Sequence, residues 1–263
     1  MTTLVWFRND LRLADNPALF DACTDSDADV VAVYLVAAAQ HREHGEGDRR
    51  LGFLRQNLES LQGALAKLNI PLWIASAPHF AEAASAIMAI ASATGARNLY
   101  FNAEYPLNEA NRDRAVAKAC DAQGIACHVR HGDVMQPPGA ILKDDGEPYR
   151  VFTPFKRRWQ QRGSAAGRTP LPAPQARSAL PDIAVPAPDL RDLPVTEADP
   201  AWPAGEAAAR QRLDAFLAER IDRYESARDY PAQAATSRLS PYLAIGILSA
   251  REAYHRAEPV SYT

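Results

Sequence analysis

The stretch VVAVYLV, Val30–Val36, decides the fold. Seven consecutive apolar residues leave no polar face, so a strand made of them meets water on neither side. Such strands belong to parallel sheets covered by helices on both faces. The flanking sequence repeats the theme. Leu4–Phe7, PLWIAS (71–76), NLYFN (98–102) and IACHVR (125–130) read as four more strands. Helical signals separate them. Asn16-Pro17 supplies an N-cap and a first helical residue. Leu51, Leu54, Leu58, Leu61 and Leu65 recur at helical spacing within Asp48–Leu68. An Ala-rich helix over Phe80–Thr94 ends at Gly95, and one over Asn108–Gln123 ends at Gly124, both positions suited to a left-handed C-cap. Residues 1–132 are therefore expected to form an α/β domain: a Rossmann-like, five-stranded parallel sheet with helices on both faces.

Beyond it the pattern changes. Nine of the 20 prolines fall between Pro170 and Pro203, too dense for a helix or a sheet ladder. We expect a linker over 133–204 lying along the surface, with one amphipathic helix beginning after Thr153-Pro154. Leu213, Phe216, Leu217, Ile221 and Tyr224 then form one helical face, and Ser240-Pro241 and Ser249 with Glu252 open two further helices. Residues 205–263 read as the start of an all-α domain. Its apolar face, lacking partners, is expected to be poorly stabilised and readily cleaved.

At 263 residues the chain fits one large domain or two modest ones. A net charge of -3 supplies no global basic field for nucleic acid, though a local patch stays open. Three cysteines without metal-type spacing suggest reduced thiols. No apolar run reaches membrane length and no leader precedes the first strand, so a cytoplasmic protein without a membrane partner is expected; a monomer is expected as well. No Gly-rich phosphate loop follows the first strand, which weakens a dinucleotide-binding reading. Arg8, Asp10, Arg12 and Asp15 interleave both signs and read as a bracing ion-pair network.

Four stretches occur in register: LVWFRNDLRLADNPAL (4–19), FNAEYPLNEANRD (101–113), PYRVFTPFKRRW (148–159) and YESARDYPAQAATSRLSPYLAIGILS (224–249). Together they resemble the photolyase and cryptochrome family, on its bacterial DNA photolyase side. The resemblance implies an antenna domain, a linker and a helical FAD domain. It implies light-driven electron transfer from reduced flavin that splits cyclobutane pyrimidine dimers in DNA. It carries FAD contacts onto Tyr224, Thr236, Ser237, Arg238, Leu239 and Ser240. It carries contacts to a folate antenna, 5,10-methenyltetrahydrofolate, onto His44, Asn108 and Glu109, and a DNA contact onto Arg228. In the family the helical domain continues well past LSAREAYHR, so the chain reads as a piece cut inside that domain. Trp6, Trp73, Trp159 and Trp202 precede the flavin stretch and match no electron-relay position.

Plainer readings stand beside these. Ser240 serves equally as an N-cap, Tyr224 as a core aromatic, and Arg228 and His44 as surface residues. Glu109 also complements a helix N-terminus. No order of residues suggests hydrolysis or a metal site, so the residues themselves name no catalytic group. Two rival functions remain open: a cryptochrome-type blue-light receptor, and a non-catalytic module that binds a folate or nucleotide.

Overall fold

The computed structural model describes residues 1–24, 28–163 and 169–258. Five strands, β1 (Thr2–Phe7), β2 (Asp29–Val36), β3 (Leu72–Ser76), β4 (Ala96–Asn102) and β5 (Ala126–Arg130), form one sheet in the order β3-β2-β1-β4-β5. All four pairings are parallel. The central strand is buried along its whole length, and β2 over all but its first residue. Period-two alternation divides the side chains. Val5, Phe7, Val30, Ala32 and Tyr34 enter one core, while Leu4, Trp6, Val31, Val33 and Leu35 enter the other. That division is why VVAVYLV needs no polar residue.

Helices α1 (Pro17–Thr24), α2 (Ala38–Glu43) and α3 (Asp48–Ala66) contribute to the first core; α4 (Ala83–Thr94) and α5 (Leu107–Ala122) cover the second. The expected caps form: Leu19 N donates to Asn16 Oδ1 at 3.1 Å, and Gly95 ends α4 at φ +62°. The short α2 lies between the second strand and the Leu-rich helix, where no helical spacing marks it, and His44 caps its C-terminus. The Ala-rich helix starts at Ala83, with Phe80–Glu82 forming a 3-10 turn before it.

Residues 171–203 are a strap. Arg177 donates to the Cys23 and Ala28 carbonyls, and Arg55 to those of Leu190 and Leu193. Ile183 and Val185 pack on the second core, and Leu190 and Leu193 are buried in the first. The strap thus runs beside the edge strand β3, where Ser76 Oγ donates to Asp192, and covers an edge open to further pairing. Before it, α6 (Phe152–Gly163) carries Phe152, Phe155 and Trp159. Trp159 stacks edge-to-face on Tyr254.

The helical segment departs from the expectation. The face drawn through Leu213, Phe216, Leu217, Ile221 and Tyr224 is broken. Helix α7 (Glu206–Glu219) stops, and a 3-10 turn (Ile221–Arg223) leads into the short α8 (Tyr224–Ala227). Leu213 is buried in the first core and Leu217 packs on it, so the apolar surface that seemed unpartnered is largely covered. Tyr242 of α9 (Ser240–Ala244), Leu239 before it, and Ile245, Ile247 and Leu248 in the turn leading to α10 (Ala250–Ala257) join the same core, and Ala253 of α10 packs on it. Buried polar contacts secure this docking. Glu206 accepts from Leu13 N at 2.6 Å, and Arg251 Nε donates to both oxygens of Asp15 at 3.1 and 3.0 Å. Ser249 caps α10, accepting from Glu252 N at 2.9 Å, but the Glu252 carboxylate turns to Arg210, so the capping box is half made. The expected N-cap at Ser240 is not found. Leu239 holds the cap position and Ser240 is the first helical residue, without a side-chain cap bond. The last five positions of the expected helical region, 259–263, lie outside the described residues.

Candidate functional site

In an open parallel sheet the order 3-2-1-4-5 puts a topological switch between β1 and β4, and ligands bind beyond the carboxyl ends there. In this chain side chains fill that crevice. Arg8 leaves β1, donates to the Asn102 carbonyl and pairs with Asp113 at 3.4 Å. Arg112 pairs with Glu104 at 2.5 Å and Asp113 at 2.8 Å, and both guanidiniums lie over the Trp6 ring. Asn102 Nδ2 donates to Asp10 and Asn16 at 2.6 and 2.8 Å. Arg12 donates to the carbonyls of Asp15, Gly132 and Gly246. The interleaved charges after β1 are thus a buried brace joining β1, β4, β5 and the α9–α10 turn. Only about 40 Å³ remains beside Trp6, Arg8, Tyr34, Phe80 and Arg112, far below the several hundred Å³ of a cofactor pocket.

A larger cleft, 330 Å³, opens next to the brace. Asn9, Glu104, Tyr105, Pro106, Glu109, Gly132 and Asp133 line it from the sheet's carboxyl edge; Leu243 and Ala244 of α9 and Leu248 and Ser249 of the turn before α10 wall its other side. Glycines make the walls meet. A Cβ on Gly132 would stand 2.6 Å from Asn102 Cγ, and one on Gly246 would overlap the Asn9 carbonyl. The carboxyls of the cleft differ in charge state. Burial would raise Glu104, but Arg8 and Arg112, with hydrogen bonds from Arg112 and Asn9, outweigh it and hold Glu104 below the usual carboxylate range. Burial raises Asp133 most; the charges of Asp10 and Glu104 add to it, Arg12 and Arg8 offset part, and the carboxyl stands at about 7. Tyr105 donates or accepts at His131 Nδ1, 2.8 Å away, and stacks on that ring. Apolar walls with acceptors at one end suit a planar heterocycle bearing N–H groups.

Of the three expected antenna contacts, the structure brings only Glu109 into this cleft, on the first turn of α5. Asn108 is exposed one residue before it and lines no part of the cleft. His44 sits elsewhere, edge-on to Phe80 and 3.1 Å from Gln40 Nε2. Glu104, Tyr105 and Asp133 were not nominated from sequence. Their signal was positional: each lies within three residues of the carboxyl end of β4 or β5.

The expected flavin contacts do not share one pocket. Tyr224 packs edge-to-face on Phe216 and is 39% exposed. Thr236, Arg238 and Ser240 are exposed, Ser237 is half-buried and Leu239 is buried. Ser240 lines a separate 460 Å³ hollow with Arg50, Phe53, Trp202 and Pro241. Among the described residues no backbone N–H from Thr236 to Leu239 donates a hydrogen bond, and Arg238 adopts φ +53°, a conformation that non-glycine residues seldom take. Consecutive free N–H groups and hydroxyls fit a diphosphate. Arg228 caps α8, lies over the Tyr224 ring and faces Asp229 at 3.8 Å.

No helix among the described residues is long and apolar enough to cross a membrane. The chain is similar to the deoxyribodipyrimidine photo-lyase of Salmonella typhimurium, at 37% identity over 256 residues, covering 97% of this chain and 54% of that protein. Its fold superposes on a class III photolyase from Agrobacterium tumefaciens at TM-score 0.85 and 30% identity, over 99% of this chain and 54% of that one. It matches the Synechocystis cryptochrome at the same TM-score and 27% identity, over 99% and 56%. The chain therefore spans about half the length of the relatives it matches. The DNA photolyase family profile matches residues 3–175, and on that match, together with the parallel sheet, the chain belongs to the DNA photolyase family.

Proposed function

We propose that this chain is the antenna and flavin-entry half of a deoxyribodipyrimidine photolyase, a flavin-dependent lyase that splits cyclobutane pyrimidine dimers in DNA with light. One observation carries the reading of the chain's own chemistry: the 330 Å³ cleft with Glu109 at its rim, beside a switch-point crevice already filled by Arg8 and Arg112. An antenna chromophore has room in the first and none in the second. A reduced folate, 5,10-methenyltetrahydrofolate, fits the chemistry: its amino-oxo ring edge donates to Glu109 while Leu243 and Leu248 cover the ring. FAD is the second cofactor. Thr236, Ser237 and Arg238 would hold its diphosphate through backbone N–H groups and hydroxyls, with Tyr224 nearby in sequence. When bound, FAD supplies the light-excited electron; this chain's part is to hold it and the antenna. Arg228 is the expected DNA contact, an exposed cation of the type that meets phosphates. Asn108 and His44 are weaker antenna contacts on this reading, since neither lines the cleft. The domain limits 1–132, 133–204 and 205–263 stay as proposed, as do a monomeric state and a cytoplasmic location.

The test is the absorbance spectrum of the purified chain after incubation with folate and FAD, followed by a dimer-repair assay under near-ultraviolet light. A retained folate band that Glu109→Ala removes supports the antenna reading; its absence from both proteins refutes it. The likeness to a cryptochrome structure favours one second reading, light sensing without repair. Bound FAD with no loss of dimers would select it.

A further inference from the structure

The cleft holds a group that no sequence motif nominates. Asp133 follows β5 and lines the cleft together with Glu109 of α5 and Glu104. Among the described residues no hydrogen bond reaches its carboxyl. Its charged surroundings come from every side: Arg8, Asp10 and Arg12 from the β1 loop, Glu104 from the end of β4, and Tyr105 and His131 beside it. Arg251 of α10 acts on Tyr105 from the far wall. Glu104 is already committed to Arg112 and Asn9. Asp133 is thus, like Glu109, a lining carboxyl with its acceptor capacity unspent, half-buried in a cleft walled on one side by Leu243 and Leu248. A half-buried carboxylate without a protein donor gains from a ligand N–H that pairs with it.

We propose that Asp133 is a second carboxylate contact of the cleft, accepting an N–H of a bound amino-oxo heterocycle, and that ligand binding there releases a proton. The proposal rests on the reading of the cleft as the antenna site and names the contact that regulates it. A donor N–H favours the ionised carboxyl, whereas the empty cleft holds it near half-protonated at neutral pH. Binding therefore shifts the proton to solvent, and affinity rises with pH. The direction is opposite to that expected of a site that binds through protonated His131.

Folic acid is the probe, because its ring does not open with pH as the methenyl ring does. Its affinity for the full chain is measured by fluorescence quenching at pH 6 and pH 8. Proton release is measured by calorimetry at pH 7 in two buffers of different ionisation enthalpy. Wild type should bind about tenfold more tightly at pH 8 than at pH 6 and release a fraction of a proton, on the order of one half, at pH 7. Asp133→Asn, nearly isosteric, should bind with no pH slope and no proton release; calorimetry on the wild type tests the proposal even if the variant folds poorly. A slope retained in Asp133→Asn, or wild-type binding without proton release, overturns the proposal. If Glu109→Ala still abolishes binding in that case, the antenna reading survives. If folic acid binds wild type at neither pH, the antenna reading falls and this proposal with it.

Discussion

Replacing Gly246 with alanine tests how the helical segment is held. Gly246 lies in the turn between α9 and α10 at φ +66°, pressed against the β1 loop. An added Cβ would overlap the Asn9 carbonyl and stand 2.6 Å from Asp10 Cα, where ordinary contacts begin at 3.4 Å. The two backbones must therefore part by about 1 Å. Three contributions follow. A side chain at positive φ costs roughly 1 kcal/mol. Overpacking against backbone costs about 1–3 kcal/mol. The separation also strains two hydrogen bonds, Leu11 N to Ile245 O at 3.2 Å and Arg12 Nη1 to Gly246 O at 3.0 Å, together worth about 1–2 kcal/mol. The total, about 3–6 kcal/mol, is a large share of the stability of an ordinary domain. Gly95→Ala is the control, because φ is +62° and nothing lies within 4 Å of the added atom; it should lose only about 1 kcal/mol. Urea unfolding followed by circular dichroism gives the difference. Limited proteolysis should show earlier cleavage of residues 205–258 in Gly246→Ala. A loss within about 1 kcal/mol of the Gly95→Ala value would refute the claim that this turn is pinned by backbone contact.

Asp15→Asn keeps a residue that tolerates the φ of +51° there but leaves Arg251, 14% exposed, without its counter-charge; unfolding free energy should fall by about 3–5 kcal/mol. Glu109→Ala should weaken folate binding by at least about tenfold, the loss of one charge-assisted contact; unchanged affinity removes Glu109 from the site. Asp133 gives a signed pH effect on stability. Its carboxyl stands at about 7 in the fold against about 3.9 when unfolded, so the folded state binds the extra proton. Its contribution is full below the unfolded value and is lost as pH rises through about 7. Asp133→Asn should therefore gain on the wild type between pH 5 and pH 8, by roughly 2–3 kcal/mol in urea unfolding. A constant difference would show that the carboxyl ionises normally.

Much of the fold was legible because local chemistry dictates it. A run such as Val30–Val36 has no option but a strand buried on both faces, and Asn16-Pro17 and Gly95 mark helix ends through hydrogen bonds and φ values that depend on neighbouring residues alone. Of the cleft's lining, the sequence nominated Glu109 through motif position and missed the residues that depend on convergence. Glu104, Tyr105 and Asp133 come from two strand ends, and Leu243 and Ser249 from a helical segment more than a hundred residues later. Periodicity also misled at Leu213–Tyr224. Helical spacing says which residues share a face, not whether the chain keeps turning through Arg220, nor what lies opposite.

The sequence by itself determined the parallel sheet, the helices that cover it and the kinship with photolyases, because each rests on short-range patterns or on motifs held in order. Only the tertiary structure decided that the switch-point crevice is filled and that the open cleft lies beside it. It also decided that the helical segment is docked by Gly246, Asp15 and Arg251, and that one carboxyl among several keeps its proton near neutrality. Those outcomes follow from burial and from charges brought together across the chain, quantities that exist only once the elements have packed.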